Sequence, residues 1–329
     1  MQDPLVSVVV LTYRPAWAKL AGTLLSALRQ KDIAFELVVT DDGSEDTLQA
    51  RARAFLEREG FPSAVFLSAE RNEGTVRNFL RGMRAAKGKY VYAISPGDFF
   101  YNDTVLARMT AFAEARGAEI CFGNAVFYFR RPDGTPVLPP DRPLAPCRPE
   151  LYNDPRPGAQ KAAFFFLDYI LGAAYLRRRE TAIRYTEKIL PLARYAEDTP
   201  STLLAIGDGI PVHYFPGKVV WYECAEGNSS GGNERWKRIL AGEYRAAYEQ
   251  LRAEHPGDPY VRAARRYRYE KEEKEPVWKQ GLRHPIVVWR FYRRRGFPVR
   301  MNEATEENRQ ALAAFLKEAD RLAQADRMR

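Results

Sequence analysis

The chain has 329 residues, of which 46% are hydrophobic, and this is enough to bury a large core in one domain or two. Its 51 Lys and Arg residues outnumber its 42 Asp and Glu residues, and the net charge of +9 favours phosphate-rich partners such as nucleotides, nucleic acids or anionic lipids. Three widely spaced cysteines argue against a disulfide framework or a zinc site, and no apolar run is long enough to span a membrane.

The first apolar run begins at Leu5, directly after the N-terminal residues. We therefore expect no secretory signal peptide. Reduced thiols fit the same compartment, so we expect a cytoplasmic protein.

Short apolar runs alternate with helix-patterned stretches through the first hundred residues. The apolar runs span residues 5–11, 35–40, 65–67 and 90–94, and helical spacing covers residues 20–28, 48–56 and 76–86. The runs are too apolar to alternate between two faces, so we predict parallel strands that are buried on both sides. The third helix is predicted to end at Gly88, a typical C-terminal cap.

The pattern is less regular in the middle of the chain. Residues 119–122 and 125–129 indicate two strands around a break at Gly123 and Asn124. The proline-rich residues 131–160 indicate a long irregular loop, of the kind that often serves as a lid or an insertion.

A composition change near residue 230 suggests two regions. A second strand-and-helix stretch covers residues 164–224, and the glycine-rich residues 227–232 follow it. We therefore predict an α/β domain over residues 1–230 and a helical, basic region over residues 231–329.

Polar residues follow three of the predicted strands at the point where each strand ends. They are Thr12-Tyr13, Asp41-Asp42-Gly43-Ser44 and Ser95-Pro96-Gly97-Asp98. An open parallel sheet binds its ligands at the carboxyl ends of its strands. The sequence therefore predicts a ligand site at this edge of the sheet.

Four sequence blocks resemble, in order, the signatures of family 2 glycosyltransferases. They are V-S-V-V-V-L-T-Y, V-V-T-D-D-G-S-E-D-T, R-N-E-G-T-V-R-N and A-K-G-K-Y-V-Y-A-I-S-P-G-D. The likeness is dense over residues 5–110 and patchy to about residue 230. It implies the Rossmann-like GT-A fold, an α/β fold with a mixed, mostly parallel sheet flanked by helices, here with a helical C-terminal extension.

The resemblance also implies an activity. Such enzymes, in bacterial surface-glycan synthesis, move a sugar with inversion from a nucleotide-diphosphate donor to an acceptor hydroxyl. We expect a UDP-sugar as donor and a glycan or lipid-linked acceptor. The alternative is a nucleotide-sugar-binding protein of the same fold with little or no turnover. A nucleic-acid partner is not expected, because no recognised nucleic-acid-binding motif is present.

The resemblance assigns nucleotide-binding roles to residues after the first two strands. In the family, the second Asp of a pair accepts a hydrogen bond from the base, and an aromatic residue flanks it. These positions are Asp42 and Tyr13 here, and we place Thr12 and Asp41 in the same site. The alternative is helix capping. Since Ser44 and Asp46 could do the capping alone, nucleotide contact is favoured for Asp42, and both interpretations stay open for Asp41.

Arg77 is a further candidate for the nucleotide site. It lies in the first turn of a predicted helix, near the strand ends, and its planar fork suits a diphosphate or the base carbonyls. The alternative is a solvated helix face, which we favour for Arg81 and Arg84 on the same stripe.

Ser95-Pro96-Gly97-Asp98 occupies the position of the family's metal-binding acidic cluster. Only Asp98 is acidic, and Ser95 and Gly97 stand where carboxylates are common. We predict Asp98 as the metal ligand, with Gly97 in the nucleotide site. The expected cofactor is a divalent cation, Mn²⁺ or Mg²⁺, bound weakly until the diphosphate adds oxygen ligands. The alternative is an ordinary Pro-Gly-Asp turn.

Glu197-Asp198 resembles the family's Glu-Asp pair, whose Asp is the catalytic base. A sugar hydroxyl is a poor nucleophile, and a carboxylate can take its proton. We predict Asp198 as the base and Glu197 as a supporting residue at the donor site. The alternative is a helix start with Pro200 in its first turn.

Residues 283–300 interleave arginines with aromatic residues. A basic, aromatic-rich amphipathic segment can lie on an anionic membrane, which would place the protein at the inner face of the cell membrane. A helix packed on the catalytic domain explains the pattern equally well.

Overall fold

The computed structural model describes residues 4–61, 63–146, 148–155, 158–165, 169–224, 234–264, 282 and 300–325. Two sequence features discussed above fall outside these ranges. They are the glycine-rich residues 227–232 and, apart from Arg300, the basic and aromatic residues 283–300.

The predicted alternation of strands and helices in the first hundred residues is confirmed. The elements are β1 (Val6–Thr12), α1 (Trp17–Leu28), β2 (Phe35–Asp41), α2 (Gln49–Arg58), β3 (Val65–Ser68), α3 (Thr75–Ala85) and β4 (Tyr90–Ile94). β1 pairs in parallel with both β2 and β4, and β2 pairs in parallel with β3. Val8 and Val10 enter one core and Val9 enters another, so β1 is buried on both faces as its composition predicts.

The rest of the chain completes the sheet and covers it with helices. The elements are β5 (Phe99–Phe100), α4 (Val105–Arg116), β6 (Ile120–Arg130), β7 (Pro136–Val137), α5 (Ala159–Phe164), β8 (Tyr175–Arg178), α6 (Arg179–Ile189), α7 (Asp198–Gly207), β9 (Val212–Glu223), α8 (Glu234–Glu254), α9 (Pro259–Ala264) and α10 (Glu306–Ala325). The strand order is β3-β2-β1-β4-β8-β6-β9-β5, and β7 pairs with β6. β8 is antiparallel to β4 and β6, and β5 is antiparallel to β9, whereas β6 and β9 are parallel. The sheet is therefore mixed and mostly parallel, as predicted.

Two predicted boundaries are wrong. The expected break at Gly123 and Asn124 is a bulge inside the single strand β6, which stays paired with β9 on both sides of it. The third helix ends at Ala85 and not at Gly88. Gly88 instead lies against β1, where an added Cβ would come within 2.6 Å of the Ser7 backbone nitrogen. The glycine is needed there for this close approach.

The C-terminal helices share cores with the α/β half. Tyr248 and Leu251 of α8 are buried in one cluster with Leu203 of α7, and Ala319 of α10 is buried in another with Leu20 of α1. The boundary near residue 230 stays a prediction, because it falls among residues outside the described ranges. In the described part of the chain, no helix has both the length and the apolar character that crossing a membrane requires.

Candidate active site

The Asp41 carboxylate, which is fully buried, links the end of β2 to the end of β1 through hydrogen bonds. It accepts hydrogen bonds from the Thr12 hydroxyl at 2.8 Å and from the Ser44 backbone N–H at 2.7 Å and hydroxyl at 2.8 Å. Asp41 therefore organises the turn after β2 and does not cap α2, whose N-cap residue is Leu48. Its predicted nucleotide contact, like that of Thr12, stays a prediction.

Asp42 turns toward the loop before α3. Its two carboxylate oxygens accept hydrogen bonds from the backbone N–H groups of Glu73 and Gly74, each at 2.9 Å. Burial raises the pKa of Asp42, and the two N–H donors oppose this shift. These two hydrogen bonds hold the Asp42 carboxylate against the loop before α3. Its contact with a nucleotide base stays a prediction.

Tyr13 and Arg77 are the exposed members of the predicted nucleotide site. Tyr13 follows β1 with 45% of its surface exposed, and the Arg14 guanidinium lies 5.3 Å from the centre of its ring. An aromatic ring at a strand end, partly open to solvent, is a group on which a base can stack. Arg77 is exposed on α3. Neither side chain is among the described residues that line the cavity reported below.

The turn after β4 is built around Gly97 and Asp98. Gly97 has a φ of +102°, and a Cβ at this position would overlap the Glu223 carboxylate. Glycine is therefore required here both by the backbone and by the space. The Asp98 carboxylate accepts a hydrogen bond from the Glu223 backbone N–H at 3.0 Å. Burial and the nearby Glu223 carboxylate raise the pKa of Asp98.

Glu223 is a buried carboxylate that the sequence analysis missed. It ends β9, and its Oε2 lies 2.7 Å from Lys19 Nζ. It occupies the space into which a side chain at position 97 would point. A carboxylate from a different strand thus fills the place of the one that Gly97 lacks. The strand-end rule applied to β1, β2 and β4 would have found it, because Glu223 directly follows the apolar run of β9.

Glu197 forms a buried ion pair with Arg177 of β8, another residue that the sequence analysis missed. Arg177 Nη1 donates to Glu197 Oε2 at 2.8 Å, and the two side chains are only 5% and 10% exposed. The guanidinium carbon lies 4.3 Å from the centre of the Tyr175 ring. Glu197 is therefore held in place by Arg177, and its predicted supporting role at the donor site stays a prediction.

Asp198 begins α7 and is partly buried. Its Oδ1 accepts the Thr199 backbone N–H at 2.6 Å, and its Oδ2 accepts the Tyr169 hydroxyl at 3.2 Å. Burial and the adjacent Glu197 carboxylate raise the pKa of Asp198 to about 6. Such a carboxylate is ionised at neutral pH and is more basic than an ordinary aspartate, as a general base should be.

The loop that carries this pair is held by Glu243 of α8. The Glu243 carboxylate accepts hydrogen bonds from three consecutive backbone N–H groups, with shortest distances of 3.0 Å for Arg194, 3.1 Å for Tyr195 and 2.7 Å for Ala196. This contact fixes the chain immediately before Glu197. No local sequence pattern predicts the role of Glu243, because its hydrogen-bond donors are backbone N–H groups nearly fifty residues away.

A cavity of about 240 Å³ brings together three of the predicted acidic residues, Asp98, Glu197 and Asp198, whereas Asp41 and Asp42 are not among its described lining residues. Its described lining includes Ser95, Asp98, Glu197, Asp198 and the unpredicted Glu223. The residues predicted to bind the metal, to support the donor site and to act as the base lie on two segments about a hundred residues apart in the sequence. In the structure they line one cavity. Their individual roles stay predictions.

The cavity has the donor chemistry for a divalent cation. Asp98 and Glu223 supply carboxylate oxygens, which Mg²⁺ and Mn²⁺ prefer. A second acidic group among the described residues, Asp208, Glu254 and His255, lies outside this cavity. The Lys188 ammonium bonds Asp208 at 2.9 Å and Glu254 at 2.6 Å, much as Lys19 bonds Glu223 at 2.7 Å, so a cation at either group would compete with an ammonium.

Two comparisons with known proteins concern sequence. The Succinoglycan biosynthesis protein ExoO of Rhizobium meliloti is 31% identical over 121 residues, which are 37% of this chain and 33% of that protein. The Polypeptide N-acetylgalactosaminyltransferase 12 of Mus musculus is 36% identical over 87 residues, 26% of this chain and 15% of that protein. The matched regions thus span a third or less of these relatives' own lengths.

The comparison with a solved structure and the match to a family model agree with each other. The crystal structure of TarS from S. aureus matches 98% of this chain and 53% of its own chain, with a TM-score of 0.52 and 14% sequence identity, which shows a shared fold. The family model of Glycosyl transferase family 2 matches residues 7–178. Because that match covers more than half of the sequence and the predicted GT-A fold is confirmed, this chain belongs to glycosyl transferase family 2.

Proposed function

We propose that this protein is an inverting glycosyltransferase that moves a sugar from a UDP-sugar to an acceptor hydroxyl. The observation that carries the proposal is the shared cavity of Asp198 and the strand-end acidic residues Asp98 and Glu223. It provides a base for the acceptor on one side and a place for the donor diphosphate on the other. Family membership supports the same activity.

Asp198 is the proposed general base. Its carboxylate takes the proton from the acceptor hydroxyl while that oxygen forms a bond to the anomeric carbon of the donor sugar. The bond from that carbon to the diphosphate oxygen breaks in the same displacement, so the configuration inverts. Tyr169 and the Thr199 N–H orient the carboxylate, and Glu197 raises its basicity.

The donor nucleotide is proposed to lie across the carboxyl ends of β1, β2 and β4. Tyr13 offers a ring face to the base, Asp42 a hydrogen-bond acceptor, and Arg77 a cation for the diphosphate, with Thr12, Asp41 and Gly97 shaping the surface. Asp98 and Glu223 would hold a divalent cation, Mn²⁺ or Mg²⁺, near Lys19. When bound, such a cation neutralises charge on the departing diphosphate.

We further propose that the acceptor is a glycan or a lipid-linked glycan in polysaccharide synthesis. ExoO, by its name, takes part in the synthesis of succinoglycan, which supports a role in surface-glycan assembly. A peripheral contact with an anionic membrane remains part of this proposal because of the basic residues 283–300.

A thermal-shift titration with nucleoside diphosphates tests the donor site. We expect UDP to stabilise the protein most, by about 2.7 kcal/mol at a concentration of about 100 times its Kd. Mn²⁺ should increase the UDP effect in the wild type but not in Asp98→Asn. Stabilisation by none of the diphosphates would contradict the proposal. Binding of a UDP-sugar without transfer or hydrolysis would favour a binding protein of the same fold.

The pH dependence of transfer tests the base. Because Asp198 is active only when ionised and its pKa is about 6, we expect kcat/KM to fall below that pH. The fall should approach about tenfold per pH unit, as for a single essential base. In Glu197→Gln the fall in kcat/KM should begin at a lower pH, because this variant lacks the negative charge that raises the pKa of Asp198. An unchanged rate down to the ordinary range of aspartate would contradict this assignment.

A further inference from the structure

A second cavity, of about 260 Å³, lies beside the proposed active site. The two cavities share five lining residues, which are Tyr169, Leu171, Tyr222, Leu240 and Tyr244. One of these, Tyr169, donates its hydroxyl hydrogen bond to Asp198. The second cavity therefore opens on the side of the proposed base, where the acceptor must approach.

The two cavities differ in charge. The described lining of the first includes the carboxylates of Asp98, Glu197, Asp198 and Glu223. No acidic residue is among the described lining residues of the second, and its one charged group there is Arg142. An anionic group on the acceptor would thus be attracted to the second cavity, whereas the first holds an anionic diphosphate only together with a cation that neutralises its carboxylates.

Arg142 has no carboxylate partner within the described ranges of the chain. Its guanidinium carbon lies 4.3 Å from the centre of the Phe127 ring, and this stacking leaves its N–H donors available at the edge of the plane. Phe127 in turn packs edge-on against Tyr222, with ring centres 5.4 Å apart. Aromatic walls of this kind suit the apolar faces of a sugar ring.

The wall that carries Arg142 is fixed by the segment before α10. The Arg142 carbonyl accepts the Asn302 backbone N–H at 2.9 Å, and the Leu144 N–H donates to the Arg300 carbonyl at 2.8 Å. The Asn302 side chain also bonds the backbone of Phe127 in both directions, each at 2.9 Å. Arg142 and Phe127 are therefore held together before any ligand binds.

We propose that the second cavity is the acceptor subsite and that it selects a saccharide bearing an oxyanion, a carboxylate or a phosphate. Arg142 binds the anionic group with its paired N–H donors, and the aromatic walls contact the sugar ring. Asp198, which lines the first cavity and accepts the hydrogen bond of the shared residue Tyr169, then meets the acceptor hydroxyl. This inference rests on the proposed function and adds the chemical class of the acceptor.

Saccharide binding in the presence of UDP and Mg²⁺ tests the inference, by ligand-observed NMR titration of the full chain. The probes are methyl β-glucuronide, glucose 6-phosphate and the neutral methyl β-glucoside. The variants are Arg142→Gln and the control Arg116→Gln. Arg116 also stacks on a ring, at 3.9 Å from the centre of Phe112, but it lines neither cavity.

We expect the wild type and Arg116→Gln to bind one anionic probe about 10- to 100-fold more tightly than the neutral one, the usual effect of a charged hydrogen bond. The tighter anionic probe identifies the group as carboxylate or phosphate. Arg142→Gln should lose the preference while UDP still raises its thermal stability. Equal or undetectable binding of all three probes, or a preference that survives in Arg142→Gln, would overturn the inference alone. A wild type that UDP fails to stabilise would overturn the proposed function and with it the acceptor role.

Discussion

Replacing Asp198 with Asn should lower the rate of sugar transfer by about 10²–10⁴-fold, the usual contribution of a positioned general base. Asn keeps the size of the side chain and can still accept the Thr199 N–H, so the start of α7 should be preserved. It cannot take a proton at neutral pH. The loss should therefore appear in kcat, because the reacting hydroxyl is no longer deprotonated as it attacks.

Steady-state kinetics with the donor, together with a UDP titration, separate the base from a merely structural residue. UDP affinity should stay near the wild-type value, since the base faces the acceptor. Asp133→Asn is a matched control, because Asp133 is an exposed turn residue that lines neither cavity. Transfer by Asp198→Asn within a few-fold of the wild type would remove Asp198 from the mechanism.

The second large effect concerns stability. Glu197→Gln should lower the free energy of unfolding by about 3–5 kcal/mol, the usual cost of breaking a buried ion pair from one side. The Arg177 guanidinium stays buried and charged in this variant. Among the described residues, its Nε and Nη2 atoms have no hydrogen-bond partner, so the pair with Glu197 is its main compensation.

Urea unfolding of three proteins measures this effect: the wild type, Glu197→Gln and the double variant Glu197→Leu with Arg177→Met. Replacing both partners by apolar groups removes the buried charge altogether, so the double variant should recover most of the lost stability. A single variant as stable as the wild type would show that water or another group already compensates Arg177.

The parallel half of the fold could be predicted because its signal is local. Strands buried on both faces, such as β1, are continuous apolar runs, and helices such as α3 have their own period. The pairing of β6 with β9 has no such signal, since it joins residues about ninety positions apart. The bulge near Gly123 was for this reason interpreted as a break between two strands.

The acidic residues of the site could be predicted because their sequence signal is also local. The residues that hold them in place could not be predicted. Asp98 and Asp198 stand at the ends of elements, where sequence motifs are visible. Glu243 and Arg177 act through backbone groups and a buried partner on other elements, and only the tertiary structure brings these together. Glu223 lies between the two cases, because it ends a strand that is easily recognised.

The hydrogen bonds from residues 194–196 to Glu243 have a consequence for synthesis of the protein on the ribosome. A nascent chain that has emerged only as far as β9 contains every acidic residue of the cavity but not the carboxylate that receives these three N–H groups. The loop before Asp198 then lacks the hydrogen bonds to Glu243. This loop therefore takes its described conformation only after α8 has left the exit tunnel and docked, so the cavity is completed late in translation.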